Sequence, residues 1–412
     1  MIKRALKTIG IILLCIVGLF VLLFVVGYIV DIFNSAPLNA MAKKARADLV
    51  SYKADIKENA WVDYLQAMEK VPDITISFDV NNYLQGKTVL SPQFPREIEK
   101  YPVVYPIIAR GNEKALCRVP FNYNAGWNME LPNYISVQKV AKILAVQSMQ
   151  ALKSNNMEKS VDYTIQGLKF CDHFIQGGPV LINYMVGIVS YGIMLKHLAY
   201  GLENSKYTVR QLGRIRTTLF NCADSLPLLS WALKGDIDIL KSGKFPFNSL
   251  GIRLSCWSCF FSPKLAFLKG LNTQKKSIAE MSRHEMASMQ ITNDETTEGY
   301  PFIKDSLPGK DPRNNPIRAL AEAHFSSMLK RKIELTAKLR AMNLAAEIRE
   351  KELLAGGLPE TLDGLDNENR INPMTRKEWN YSYTVDSVVI SSSPPDSHKP
   401  TPVVHLTLKK VR

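Results

Sequence analysis

The chain has 412 residues, of which 46% are hydrophobic and 22% are charged, so it is long enough for two or three compact units with their own cores. This balance excludes an intrinsically disordered or a fibrous protein. The formal net charge of +14 favours anionic partners, namely lipid headgroups, nucleic acid or acidic polymers.

An uncharged apolar run fills residues 9–30. At ~1.5 Å per residue, a helix of this length crosses the ~30 Å hydrocarbon layer of a bilayer. The tip at 1–8 is basic and Asp31 follows the run, so the positive-inside rule places the N-terminus in the cytoplasm. We predict a cytoplasmic basic tip at 1–8 and a transmembrane helix at 9–30.

The alternative to this anchor is a cleaved signal peptide, for which Ala40-Met41-Ala42 would offer a small-residue cleavage pattern. The apolar part of a signal peptide usually has ~7–15 residues, and the run at 9–30 is longer. We therefore predict a single-pass protein of a bacterial inner membrane, with everything after Asp31 in the periplasm. In that compartment lipid headgroups are the expected anionic partners, and nucleic acid is not expected.

Within residues 31–134, the pattern of apolar residues changes at Pro72. Up to residue 71, apolar side chains recur at three- and four-residue steps, which predicts a juxtamembrane helix at 31–71. From 72 to 134 the sequence ITISFDV alternates as a strand does, and prolines interrupt the chain repeatedly. We predict a loop-rich segment with short strands at 72–134.

Residues 135–291 are predicted to form a helical domain. Ser136 is the expected N-cap of its first helix, and apolar stripes on both sides of Asn155-Asn156 predict an antiparallel helix pair. Further helices are expected at 180–203, 209–225 and 226–240. The uncharged run at 180–195 is either a second membrane span or a core helix, and its polar residues and short length favour the core.

The most distinctive composition occurs at 241–276, where basic and aromatic residues alternate without any acidic one. Such a segment suits the headgroup layer, because aromatic rings enter the acyl boundary while cations meet phosphates. The alternative is a flap packed over the helices, with solvated charges. The membrane-surface candidates are Lys241, Lys244, Arg253, Trp257, Phe260, Phe261, Lys264, Lys269, Lys275 and Lys276.

Cys256 and Cys259 in this segment form a C-x-x-C pattern. A second cysteine pair, which a zinc site would need, does not accompany it, and no strand signal precedes it as in a thioredoxin-type motif. We interpret the two residues as a local disulfide or as two half-buried thiols.

A linker at 292–315 precedes a long helix and a small β module at 316–412. Pro316 suits the first turn of the helix, and Gly356-Gly357 suits its end. Beyond it, the alternation of Trp379, Tyr381, Tyr383 and Val385 predicts a strand with one apolar face, and two more strands are expected at 388–390 and 403–408. The aromatic residues are expected in the core under the helix, with a docking platform as the alternative.

The last sixty or so residues carry a helix, a G-x-P turn, a Trp/Tyr strand and a serine-rich ending, with Gly357, Pro359, Leu365, Pro373 and SSSPPD at the matching places. This order resembles the globular end of bacterial type II secretion pseudopilins. Asn372 stands where that family has aspartate, and the glycines of its calcium-associated ending are missing, so the resemblance implies no calcium site. The whole arrangement, including ENAWVDYLQAM, looks like a set of uncharacterised single-pass membrane proteins from planctomycete and verrucomicrobial bacteria.

Catalytic motifs are not found in the sequence. His284-Glu285 lacks the second histidine of a zinc protease motif, and Cys171-Asp172-His173 are consecutive on a predicted helix, where their side chains diverge. We therefore expect a protein that is not an enzyme and that needs neither a cofactor nor a metal. The mainly α architecture with a small C-terminal antiparallel sheet favours a non-catalytic scaffold that binds an envelope protein in a secretion or pilus-like assembly. The alternative is a protein that binds anionic lipid through 241–276 and an apolar helical groove.

Overall fold

The computed structural model describes residues 2–50, 56–71, 79–89, 103–122, 125, 129–204, 207–242, 264, 278, 282, 316–392 and 404–410. These residues form a mainly α protein with one small antiparallel sheet, which confirms the predicted fold class. The helices are α1 (Ile2–Phe33), α2 (Ser35–Val50), α3 (Ala60–Lys70), α4 (Asp79–Leu84), α5 (Val104–Asn112), α6 (Tyr134–Lys153), α7 (Met157–Ile175), α8 (Leu181–Asn204), α9 (Val209–Asp224), α10 (Leu229–Ser242), α11 (Pro316–Ala355) and α12 (Asn367–Arg370). The strands are β1 (Asn380–Thr384), β2 (Ser387–Ser391) and β3 (His405–Lys409).

Helices α1 and α2 are separated at Asn34 and bent by 40°. The Asn34 side chain donates to the Val30 carbonyl at 2.7 Å, and the Ser35 hydroxyl donates to the Asp31 carbonyl at 2.8 Å. The break therefore lies before Pro37. Pro37 lies in the first turn of α2, where a backbone N–H has no partner within the helix.

Two parts of the described chain are apolar and long enough to cross a bilayer: α8 by itself, and the bent combination of α1 and α2. The most apolar window of α8 is 67% buried inside the protein. Helix α8 packs against α6, α7, α10, α11 and β3, as a central core helix does. Residues of α1 have a different environment, since Leu22, Tyr28 and Phe33 are exposed.

The single helix expected at 31–71 is not observed. α2 ends at Val50, and a new helix, α3, begins after Asn59, whose side chain accepts the Trp61 N–H at 3.1 Å. The same amide accepts the Arg118 N–H at 2.8 Å and donates to the Arg118 carbonyl at 2.7 Å. The Asn59 amide therefore fixes the start of α3, because it caps this helix and also binds the backbone of Arg118.

Most of the ITISFDV stretch lies outside the described residues, and the described parts of 72–134 contain two short helices, α4 and α5. α4 begins at Asp79, inside the ITISFDV pattern, and α5 contains Pro106 in its first turn. Proline is tolerated there because the first N–H groups of a helix lack partners within it. The extended pairing described in this segment is one isolated bridge, between Leu116 and Asn59.

The predicted antiparallel pair is formed by α6 and α7. Asn155 has a φ of 59°, and the Asn156 side chain accepts the Lys159 N–H at 3.2 Å to cap α7. The N-cap of α6 is Asn133 instead of Ser136, because its side chain accepts the Ser136 N–H at 3.3 Å. α6 and α8 run parallel to each other, because Tyr134 near the start of α6 contacts Asn183 near the start of α8, while Ser148 and His197 further along both contact Thr164 of α7.

The C-terminal module begins where Gly356, with a φ of 76°, ends α11. The apolar anchors of the following turn, Leu358, Leu362 and Leu365, are all buried. The sheet has the order β1-β2-β3, and both pairs of strands are antiparallel. β3 packs against α8, so the module and the helical domain share one core.

The aromatic alternation is only partly buried. Trp379 is 3% exposed and its indole N–H donates to the Asn369 carbonyl at 2.8 Å, whereas Tyr381 is half-buried and donates to the Pro359 carbonyl. Tyr383 and Val385 are exposed, 36% and 72% respectively. The predicted apolar face does not extend to them, because Val385 lies in the turn between β1 and β2.

Candidate anion-binding cleft

Most of the residues predicted at the membrane surface lie outside the described residues. Of those described, Lys241 pairs with Asp238 at 2.9 Å. Lys264 donates from its backbone N–H to the Asp31 carboxylate at 3.1 Å and from Nζ to the Ser35 hydroxyl at 2.7 Å. The candidates outside are Lys244, Arg253, Cys256, Trp257, Cys259, Phe260, Phe261, Lys269, Lys275 and Lys276.

The position of Lys264 links the basic aromatic segment to the end of the apolar helix α1. Asp31 and Ser35 flank the break between α1 and α2, directly after the predicted span. α2 also packs against α10, the helix from which the segment departs at Lys241. These contacts bring the middle of the segment next to the end of the apolar helix. The binding of headgroups by the other residues of the segment stays a prediction.

The helical domain contains a cleft of about 550 Å³ between α4, α6, α8, α11 and β3. One lysine enters it from each of three helices: Lys142 from α6, Lys196 from α8 and Lys338 from α11. The rest of the lining that the structure describes is made of amides, one histidine and apolar side chains, and it contains no carboxylate. These residues are Asn81, Gln85, Gln138, Val189, Gly192, Ile193, Leu195, Ala199, Met342, Val404, His405 and Leu406.

The three cleft lysines are half-buried and repel one another. Burial lowers the pKa of Lys196, and the charges of Lys338 and Lys142 lower it further. Burial also lowers the pKa of Lys142, with a contribution from Lys139. An anion bound between these ammonium groups would offset both the repulsion and the loss of hydration, because it favours their charged forms.

Lys196 has a defined orientation in the cleft. Its Nζ donates to the Asn81 side-chain oxygen at 2.9 Å, which joins α8 to α4. An ammonium group has three N–H donors. The bond to Asn81 leaves two donors with which Lys196 can bind a ligand in the cleft, beside the donors of Lys142 and Lys338.

The non-buried residues of α8 form a single stripe along the helix. Ile182, Met185, Val189, Gly192 and Lys196 recur at three- and four-residue steps and are exposed or half-buried, while most of the other residues of α8 are buried. The stripe is apolar over its first three turns and reaches the cleft at Val189. At Gly192 a Cβ would meet no atom within 4 Å, so the space above the stripe is open there.

The side chains with proton-transfer chemistry described outside the cleft are mostly in the core. Ser148, Thr164 and His197 are at most 2% exposed, and they connect α6, α7 and α8 through bonds of 2.9 Å between Ser148 Oγ and Thr164 Oγ1 and between Thr164 Oγ1 and His197 Nε2. Burial lowers the pKa of His197 to about 3, so its ring is neutral at pH 7. A substrate cannot reach this set, which therefore acts in packing.

His173 and the buried thiols of Cys117 and Cys222 also act in packing. His173 Nδ1 lies 2.7 Å from the Tyr64 hydroxyl, and burial lowers its pKa to about 4. Burial raises the pKa of Cys117 and of Cys222 to about 12, which keeps both thiols protonated. Among the residues the structure describes, no cluster of histidine, cysteine and carboxylate side chains could hold a metal ion.

Asp236 of α10 accepts the Leu181 N–H at 3.2 Å, at the start of α8. Burial raises the pKa of this carboxyl to about 7, although the Leu181 N–H acts in the opposite direction. Between pH 4 and pH 7 the folded protein therefore retains a proton that the unfolded chain has lost. Stability due to this group falls as the pH rises through that window.

Asp236→Asn is expected to flatten the decrease in stability between pH 4 and pH 7 and to raise the free energy of unfolding at pH 8 by about 1–2 kcal/mol, since asparagine keeps an acceptor without the charge. Urea unfolding of the full chain in an uncharged detergent at several pH values measures this. The matched control is Asp224→Asn, at an exposed carboxylate, which should keep the wild-type pH profile. An unchanged profile for Asp236→Asn would contradict the prediction.

Sequence reasoning did not find the cleft, because its lysines lie far apart in the chain. Helix periodicity predicts which face of one helix is buried, but it does not predict which faces of α6, α8 and α11 meet. One signal was present: Lys196 is the first charged residue after a long uncharged run in α8. The resemblance of the C-terminal module to pseudopilins stays a prediction. Comparison of the chain with protein-family models, with curated proteins and with solved structures finds no match.

Proposed function

We propose that the protein is a membrane-tethered, non-catalytic binding protein whose folded domain takes an anionic ligand in the lysine cleft. The observation that carries this proposal is the convergence of Lys142, Lys196 and Lys338, from three helices, on a cleft whose described lining has no carboxylate. Solvated lysines on a helix usually point in separate directions, whereas these three share one half-buried space. Like charges brought together in this way favour a ligand of opposite charge.

The tether is supported by α1. Its side chains from Val17 to Phe33 are largely apolar, and many are more than a third exposed, among them Leu22 at 58% and Phe33 at 76%. An apolar helix whose sides are not covered by protein is suited to a lipid environment. With the positive tip in the cytoplasm, the cleft faces the periplasm of a bacterial envelope.

The binding role, as opposed to catalysis, is supported by the chemistry of the cleft. Apart from His405, the polar side chains among its described lining residues are lysines and amides, which bind charge and donate hydrogen bonds. Each good charge-assisted hydrogen bond contributes roughly 1.5–3 kcal/mol. Together they can hold a phosphate or carboxylate without transforming it.

The test is calorimetric titration of the full chain, in an uncharged detergent at low ionic strength, with glycerol 3-phosphate and with glycerol as the neutral comparison. We expect the anion alone to bind. Lys142→Gln and Lys338→Gln are each expected to weaken binding about tenfold or more, through loss of one charged contact. Lys159→Gln, at an exposed lysine on α7, is the matched control and should stay within about twofold of wild type. Equal binding of glycerol, or no effect of the cleft substitutions, would overturn the proposal.

A scaffold that binds an envelope protein is the second candidate, and one observation favours it. β1 lies at the edge of the sheet, and Tyr383 and Val385 beside that edge are exposed. Exposed edge strands accept a further strand from a partner. Stoichiometric crosslinking of one protein at Tyr383, together with anion binding that does not depend on the cleft lysines, would favour this function over the first.

A further inference from the structure

We propose that the ligand of the cleft is an anionic amphiphile, with its charged head between the three lysines and its acyl chain along the open stripe of α8. This inference rests on the proposed function and specifies the ligand class of the same site. The stripe is apolar at Ile182, Met185 and Val189 and then reaches Lys196, so one helix face offers an apolar surface and a cation in sequence. From Ile182 to Lys196 the stripe is about 21 Å long at ~1.5 Å per residue.

Helix α6, which lies beside α8, also has an exposed apolar residue near its start and a lysine further along. The Tyr134 hydroxyl donates to the Asn183 side-chain oxygen at 2.7 Å, which places the start of α6 beside the start of α8. Because the two helices run parallel, Ile135, which is 67% exposed, lies at the apolar end, and Lys142 lies two turns further along. Along both helices an exposed isoleucine near the start is therefore followed, in the same direction, by a lysine of the cleft.

Charge and shape together identify the occupant. The head end requires an anion, and it offers donors in several directions, which suits a phosphate or a carboxylate. The other end offers apolar side chains that remain a third or more exposed, Ile182 at 39% and Val189 at 38%, without a polar group of their own. An alkyl chain that covers them removes apolar surface from water at both partners. A short, fully polar anion would leave this half of the groove unused.

The apolar end of the groove lies at the tethered side of the domain. α8 begins against α10, where the Leu181 N–H donates to Asp236, and α10 is the helix on which α2 packs. α2 follows the apolar helix α1 directly. A chain lying on Ile182 and Val189 therefore points toward the part of the domain that is joined to the membrane helix.

The test compares glycerol 3-phosphate, butyl phosphate and octyl phosphate, titrated into the full chain in lipid nanodiscs of uncharged net composition. We expect octyl phosphate to bind at least about tenfold more tightly than glycerol 3-phosphate, since each buried methylene contributes severalfold. Gly192→Leu fills the groove at a position where a Cβ meets no atom within 4 Å, so the variant is expected to fold normally. It should lose the chain-length dependence, so that octyl phosphate binds it no more tightly than glycerol 3-phosphate does.

Two controls separate the outcomes. Gly213→Leu adds the same side chain at an equally open position on α9, and it should behave as wild type. Val189→Gln makes the stripe polar without adding bulk, and it should weaken octyl phosphate severalfold more than glycerol 3-phosphate. If wild type and Gly192→Leu bind all three probes alike while Lys338→Gln weakens them, the amphiphile inference is wrong and the anion-binding function stands. If Lys338→Gln also has no effect, both are wrong.

Discussion

Replacing Arg349 with alanine is expected to lower the free energy of unfolding by about 3–5 kcal/mol, as is typical when one partner of a buried ion pair is removed. Arg349 is 3% exposed. Its Nη1 donates to the Glu352 carboxylate and to the Lys409 carbonyl, both at 2.6 Å. Nε donates to the Leu202 carbonyl at 2.8 Å, and Nη2 donates to the Glu203 carbonyl at 2.9 Å. One guanidinium group therefore joins α11, the end of α8 and the end of β3.

The size of this expected loss of stability follows from the polar groups that would no longer contact the Arg349 guanidinium group. The carbonyls of Leu202 and Glu203 belong to the last turn of α8 and lack partners within the helix, and a cation is favourable at that end of a helix. Without Arg349, these two carbonyls would lose the hydrogen bonds that it donates, and the buried Glu352 carboxylate would lose its contact with this cation. Each such group costs roughly 1–3 kcal/mol.

Urea unfolding of the full chain in an uncharged detergent measures the effect. Arg349→Lys is expected to recover only part of the loss, because an ammonium group cannot reproduce the planar fork of donors. Arg331→Ala removes the same charge from an exposed position on the same helix and should change stability by no more than about 0.5 kcal/mol. A similar small change for Arg349→Ala would show that the buried contacts contribute little.

Gly235→Ala is expected to destabilise the protein by about 3 kcal/mol or more. Gly235 lies inside α10, and a Cβ there would be 1.6 Å from the Pro179 carbonyl oxygen and 2.6 Å from its carbonyl carbon. These atoms belong to the backbone just before α8, so a change of side-chain rotamer cannot relieve the clash. In an isolated helix the same substitution would stabilise by ~1 kcal/mol. The contact between α10 and the residues just before α8 therefore determines whether Gly235→Ala stabilises or destabilises the protein.

The control for this prediction is Gly213→Ala, on the open side of α9. A Cβ at Gly213 would meet no atom within 4 Å, so helix propensity should dominate and stability should rise by about 0.5–1 kcal/mol. Thermal unfolding followed by circular dichroism, on the full chain in the same detergent, distinguishes the two variants. Effects of equal sign at both glycines would contradict the close packing of α10 on Pro179.

Local signals in the sequence predicted several helices of the helical domain and the end of α11. The helix expected at 180–203 is Leu181–Asn204, the one expected at 209–225 is Val209–Asp224, and Gly356 ends α11 with a positive φ. These features depend on residues within about four positions of each other, through side-chain periodicity and the capping of free backbone groups. The apolar run of α1 belongs to the same class, because length and composition by themselves define it.

Tertiary structure decided which polar residues are buried and which of them meet. Arg349 and Glu352 look like solvated residues of a charged helix end, yet both are buried, because α8 and β3 cover that face of α11. Lys142, Lys196 and Lys338 come together only because three helices pack around one cleft. Such proximity depends on contacts between residues far apart in the chain, and helical periodicity carries no information about those contacts.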